Sequence, residues 1–215
     1  MEKISFNKLH NKRKQFLQKH KSEDHVVVFG NNTILISAPH GVSQVRLGKH
    51  KVAEIGSLAT ALYIKETTNC NFIAKTKNNN DDANFDENSN YKNTIFELID
   101  KQQIKYIIDI HGLSNKRKCD INLGTHLGKN IENSPVIFDK LTSMLAAENF
   151  SVSIDQPFMA AHYTIASSTK NLQHQLWTIQ IEINCDITNK KENFSRFEKL
   201  LNIFTNWIKN FDKFL

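Results

Sequence analysis

The sequence predicts an α/β fold, a three-layer arrangement in which a mostly parallel mixed sheet carries helices on both faces. Three observations lead there. Aliphatic runs such as Ile34-Leu35-Ile36 and Tyr106-Ile107-Ile108 read as strands buried on both sides, the habit of parallel sheets. Between them lie stretches with apolar residues at helical spacing. Strands and helices alternate without internal repeat, long linker or low-complexity tract. At 215 residues, one domain spanning 1–215 is the economical reading, with 1–22 as a helical extension at its start.

The elements follow in order. Residues 1–22 form a polar helix anchored by Phe6, Leu9, Phe16 and Leu17. Val26-Val27-Val28-Phe29, then Gly30-Asn31-Asn32, then Thr33 to Ser37 read as a β-hairpin, with Gly and Asn supplying the turn. The segment 41–51 has no periodicity and reads as a loop. A helix then carries Ile55, Leu58, Ala59, Leu62 and Tyr63 on one stripe, with Glu54 opening it where the helix dipole favours an anion. Residues 71–76 form a strand, and 78–90, dense in Asn and Asp, form either an active-site flap or a surface turn. Ile95, Leu98, Ile99 and Gln102 mark another helix.

The run 106–112 is a strand closing on His111-Gly112, and a shorter strand covers 119–124. A helix over 135–149 has Ser134 as its cap and Pro135 in its first turn. Residues 177–184 alternate strictly, with Ile179, Ile181 and Ile183 on one side and Gln180, Glu182 and Asn184 on the other. Phe194, Phe197, Leu201, Phe204, Ile208 and Phe211 define a closing helix that packs on the sheet.

Composition narrows the function. Hydrophobic residues make up 40% and charged residues 23%, ordinary values for a globular protein. No apolar run is long enough to cross a bilayer, and the basic N-terminus lacks the apolar core of a secretory signal, so a cytoplasmic location is expected. Cys70, Cys119 and Cys185 are odd in number and far apart, which disfavours a disulfide framework or a cysteine zinc site. The net charge of +6 is spread along the chain. The clusters Lys12-Arg13-Lys14 and Lys116-Arg117-Lys118 lack aromatic interleaving and read as solvated surface rather than a nucleic-acid interface.

Chemistry gathers at strand ends, where open α/β sheets bind their ligands. Ile34 to Ala38 stops at Pro39-His40-Gly41, and Asp109 and His111 share a face of their strand. Glu182 lies in another strand, where an unpaired buried carboxylate would be costly. Two imidazoles and a carboxylate form a ligand set used by catalytic zinc, and a further carboxylate is needed as general base. His40, Glu54 and His111 are therefore assigned as ligands of one zinc ion and Glu182 as the catalytic base, although Mn²⁺ or Fe²⁺ would also fit an N/O set. Asp109 stands behind a ligating histidine or touches substrate. Each residue also has a bland reading: Glu54 as a first-turn acid, His40 as a loop residue, His111 as a satisfied core histidine. His50, four positions before Glu54, is a weaker candidate ligand because its lysine-rich loop looks solvated.

Ser37-Ala38-Pro39-His40-Gly41, Asp109-Ile110-His111-Gly112 and Ile181-Glu182-Ile183-Asn184 resemble the three signature stretches of the N-formylglutamate amidohydrolase family. The resemblance implies a phosphorylase/hydrolase-like core similar to the zinc carboxypeptidases, with His40 and His111 on zinc and Glu182 as catalytic carboxylate. A more distant likeness to zinc-dependent N-acetylmuramoyl-L-alanine amidases supports Glu54, fourteen positions after His40. The arginine that such enzymes use for a substrate carboxylate is missing from Asp82-Ala83-Asn84-Phe85, leaving Arg46, Lys75 or Arg117 to replace it. Asn84 and His162, with Tyr163, are candidate substrate contacts, the alternative being ordinary loop residues. The expected function is zinc-dependent hydrolysis of an amide C–N bond in a small N-acyl amino acid or peptide-like substrate. A cell-wall amidase or carboxypeptidase and a non-catalytic basic binding protein are the alternatives.

Overall fold

The computed structural model describes residues 4–214; the first three positions of the expected 1–22 helix, and Leu215 at the end of the 1–215 span, lie outside them. The principal elements are α1 (Phe6–Lys19), β1 (His25–Val28), β2 (Ile34–Ala38), β3 (Gln44–Arg46), β4 (Lys49–Lys51), α2 (Ile55–Thr68), β5 (Asn71–Lys75) and α3 (Asn90–Lys101). There follow β6 (Tyr106–Leu113), β7 (Ile121–Gly124), α4 (Pro135–Ala147), β8 (Val152–Ile154), α5 (Ile165–Leu172), β9 (Trp177–Asn184), α6 (Cys185–Asn189) and α7 (Phe194–Lys209).

Among the described residues, seven strands form one sheet in the order β1-β5-β2-β6-β9-β7-β8. The inner four, β5, β2, β6 and β9, run parallel; β1 runs antiparallel to β5 and β7 antiparallel to β9, while β8 lies parallel to β7. Each inner strand is apolar on both faces because each face is covered. Ile36, Ile108 and Ile179 point into a core shared with Leu58 and Ile64 of α2, Leu141 of α4 and Phe204 of α7. Leu35, Ile73 and Ile107 point the other way, against Tyr91 and Ile95 of α3 and Ile165 of α5. The expected three-layer α/β architecture is therefore present.

Local readings are corrected in four places. First, β1 and β2 are not a hairpin, because β5 lies between them. The linker of five residues spans two strand spacings of roughly 4.8 Å each, a step that a two-residue turn could not make. Asn71 holds the linker, accepting from the Gly30 amide and donating to the Asn32 carbonyl. Second, the segment 41–51 contains the small hairpin β3–β4, which turns on Leu47 and Gly48, both with positive φ. Third, β6 does not stop at Gly112 but runs on to Leu113. Fourth, Ser134 occupies the cap position of α4 without capping it; its hydroxyl donates to the Asn133 carbonyl. Among the described residues no helix is long and apolar enough to cross a membrane.

In the linker before β2, Gly30 packs closely against main chain. A Cβ on Gly30 would lie 2.1 Å from the Asn69 carbonyl oxygen, a main-chain atom that cannot swing aside. Gly30→Ala is expected to destabilise the protein by about 1–3 kcal/mol, read as a lower urea midpoint at unchanged slope.

Candidate active site

The sheet register puts the polar residues together. In the parallel pair β6–β9, Asp109 lies beside Gln180 and His111 beside Glu182. All four are odd or even partners of residues that face α3 and α5, so they share the thinner side of the sheet near its carboxyl edge. β2 ends one strand away, and its following turn carries His40. The Glu54 amide donates to the His40 carbonyl at 2.9 Å, which staples the start of α2 to that turn.

The two imidazoles are held in the same way. His40 Nε2 lies 2.8 Å from Asp82 Oδ1, and His111 Nε2 lies 2.8 Å from Asp109 Oδ2. A carboxylate only accepts, so each Nε2 carries a proton, and whenever a ring is neutral its lone pair is on Nδ1. Those two Nδ1 atoms are 3.1 Å apart. Glu54 Oε1 lies 2.9 Å from the Nδ1 of His40, and Oε2 lies 3.5 Å from that of His111. One ligand atom from each of His40, Glu54 and His111 is within 4.8 Å of the other two, so the group could hold a metal ion. The donor chemistry fits: two imidazole nitrogens and a carboxylate oxygen converge, and both rings are backed by carboxylates. Asp109 Oδ1 is also buried without a hydrogen-bond partner in the structure, which leaves that carboxylate's charge only partly compensated.

The electrostatics show what the cluster wants. Burial opposes charging His40, but Glu54 and Asp82 outweigh it and raise its pKa to about 9. His111 is raised too, with Asp109 overcoming burial. Burial would raise Glu54, yet the two imidazoles hold it well below the carboxylate range. Asp82 is likewise held low against its burial by His40 and Arg46. Positive charge is therefore favoured where the two Nδ1 atoms and Glu54 meet, supplied by protons or by a cation.

Glu182 is the exception. Burial pushes its carboxyl up to about 8, with His111 pulling the other way. Gln180 Nε2 donates to Glu182 Oε1 at 2.9 Å, and Asn84 Nδ2 donates to Gln180 Oε1 at 3.0 Å. Asn84 Oδ1 in turn accepts from the Ile165 amide at the head of α5. This chain ties the catalytic candidate to the loop before α3 and to α5.

Not every expected residue joins the centre. His50 is exposed on β4 and the structure places it outside the cluster. Lys75 is buried between Asp24 and Asp81, and Arg117 is exposed and does not line the cleft. Arg46 does line it: its Nε lies 2.8 Å from Asp82 Oδ2 and its guanidinium stacks 4.8 Å from the centre of the Phe85 ring. His162 is exposed at the rim with a positive φ. The cleft over the site, about 1100 Å³, is lined by His40, Glu54, His111 and Glu182 at its floor. Gly112 matters here: its amide donates to Glu54 Oε2 at 2.7 Å, and a Cβ would sit 3.1 Å from that of Glu54. The glycine is needed for this close approach rather than for a turn. Asp82 and Gln180 are partners that sequence reasoning missed. Gln180 shares the alternation that exposed Glu182, whereas Asp82 is one acid among several in its loop.

Two outcomes are expected. Asp82→Asn or Asp109→Asn lowers Zn²⁺ affinity roughly 10–100-fold in a chelator competition titration, because the ring it backs loses its fixed orientation. Protons compete for the raised imidazoles, so Zn²⁺ affinity in the same titration falls as pH drops below about 9, where His40 takes up its proton.

Comparison with known proteins bears on the fold and on part of the sequence. The family model described as FGase, N-formylglutamate amidohydrolase, matches residues 89–188, which include Asp109, His111 and Glu182 but not His40, Glu54 or Asp82. The gene product Atu2144 from Agrobacterium tumefaciens has a TM-score of 0.64 at 12% identity, over 91% of this chain and 97% of that one. N-formylglutamate amidohydrolase from Ralstonia eutropha JMP134 has a TM-score of 0.58 at 11% identity, over 89% and 99%. A bacteriophage poly-gamma-glutamate hydrolase gives 0.51 at 11% identity, over 88% of each chain. No curated protein matches in sequence. These structures share the fold, and with the family match over residues 89–188 the chain resembles the N-formylglutamate amidohydrolase family in both its fold and its second and third signature stretches.

Proposed function

We propose that the protein is a zinc-dependent hydrolase of an amide C–N bond in a small N-acyl amino acid or peptide-like substrate. One observation carries the reading: two imidazoles, each backed by a buried carboxylate, turn Nδ1 toward one point beside Glu54, with Glu182 on the adjoining strand. The family match and the shared fold support it. The continuous seven-stranded sheet supports reading residues 1–215 as one catalytic domain.

In this reading His40, Glu54 and His111 would hold one zinc ion. Zinc bound there supplies Lewis acidity, polarising the scissile carbonyl and making water easier to deprotonate. The remaining work belongs to the chain. Asp82 and Asp109 keep the proton of each imidazole on Nε2, so that Nδ1 stays available. Gln180 fixes Glu182 Oε1, which leaves Oε2 to take the proton from the attacking water and pass it to the departing amine nitrogen. Because burial lifts the Glu182 pKa toward neutrality, the carboxyl can hold that proton between the two transfers. Arg46, kept in place by Asp82 and Phe85, is the arginine lining the cleft and would meet a substrate carboxylate. Asn84 acts through Gln180, and His162 meets substrate at the rim.

Glu182→Gln tests the mechanism. Zinc content is expected to stay at one per chain, while hydrolysis of N-acyl amino acids falls by roughly 10²–10⁴-fold. A variant that hydrolyses as fast as the parent, or a parent equally active after metal removal, would overturn it.

A further inference from the structure

We infer that the substrate carries a large apolar or aromatic group beside the scissile amide, seated on a rim of exposed side chains around the cleft; this rests on the amide-hydrolase reading above. Among the described residues twelve large hydrophobic side chains are exposed, and six of them line this one cleft: Val52, Ile55, Phe85, Phe158, Met159 and Tyr163. Scattered exposed apolar residues need no explanation, but half of them gathered around a candidate catalytic centre mark a binding surface. They come from three separate parts of the chain: the junction of β4 and α2, the loop before α3, and the segment between β8 and α5. No single run of sequence places them there.

The rim is also held still. The Phe158 amide donates to Asn122 Oδ1 at 3.2 Å, and the Met159 carbonyl accepts from the His126 amide at 2.7 Å. Buried Lys92 donates to the Tyr163 carbonyl and to that of Asp86, so one side chain ties together two of the three rim segments. Phe85 is pinned under the Arg46 guanidinium. Exposed side chains on a fixed backbone lose little freedom when a ligand covers them, and this favours binding. A short acidic acyl amino acid would reach Arg46 but leave most of this surface wet. The cleft, about 1100 Å³, lies just above the roughly 300–1,000 Å³ common for small-molecule sites.

Two substrates separate the ideas on zinc-loaded, full-length protein: N-acetyl-L-phenylalanine and N-formyl-L-glutamate. The expected result is a kcat/KM at least ~10-fold higher for the phenylalanine compound. The double variant Phe85→Ala/Phe158→Ala is expected to collapse that preference by ~10-fold or more, through KM, with unchanged zinc content reporting an intact fold. Calorimetry with Glu182→Gln gives a readout independent of turnover: N-acetyl-L-phenylalanine binds with a negative heat-capacity change, and the rim substitutions weaken it. Equal or better cleavage of N-formyl-L-glutamate, or an equal loss on both substrates in the rim variant, would overturn this inference and leave the hydrolase reading standing. Cleavage of neither compound would overturn both.

Discussion

The structure turns on a commitment made by two carboxylates. Asp82 and Asp109 each accept a hydrogen bond from the Nε2 of a histidine, which turns the two Nδ1 atoms toward each other across 3.1 Å in a buried place beside a third acid. Such a grouping repels itself unless something positive enters it. Much of the surrounding architecture exists to hold it there: β2 and β6 side by side, α2 stapled to the turn after β2, and the loop before α3 folded back to deliver Asp82. Lys75, buried between Asp24 and Asp81, anchors that loop one residue from Asp82. Sites of this kind are bought with stability, and here the two dense hydrophobic layers on either side of the sheet offset the cost.

The parts of this that were legible in the sequence are those governed by strand periodicity. Continuous aliphatic runs announced β2 and β6, and strict alternation placed Asp109 with His111 and Glu182 with Gln180. The donor histidines, Glu54 and Glu182 could therefore be nominated before any contact was known. Asp82 could not, because its loop carries several acids and only tertiary folding decides which one meets His40. Long-range order was also hidden. Five residues between β1 and β2 suit a hairpin as well as a crossing over β5, and what decides is the Asn71 side chain forty-one positions after Gly30. The β3–β4 turn escaped notice since leucine at positive φ is not a turn signature. Helix α5, short and rich in Ser and Thr, gave no helical stripe to read.

His111-Gly112 shows how a correct residue can be chosen for the wrong reason. The pair looked like a strand end opening onto a turn. Instead β6 continues, and the glycine is there because the Glu54 side chain crosses its face. A motif that reads as a statement about backbone direction is in fact a statement about the space beside the Glu54 side chain.

That crossing carries one more consequence. The Gly112 amide occupies Glu54 Oε2, so the carboxylate turns its other oxygen toward His40. A glutamate held in this way presents Oε1 to the His40 imidazole and, were zinc bound as proposed, would offer it that oxygen. The orientation of the Glu54 carboxylate is thus set by a main-chain hydrogen bond in a central strand, the part of the molecule least free to drift as surface residues change.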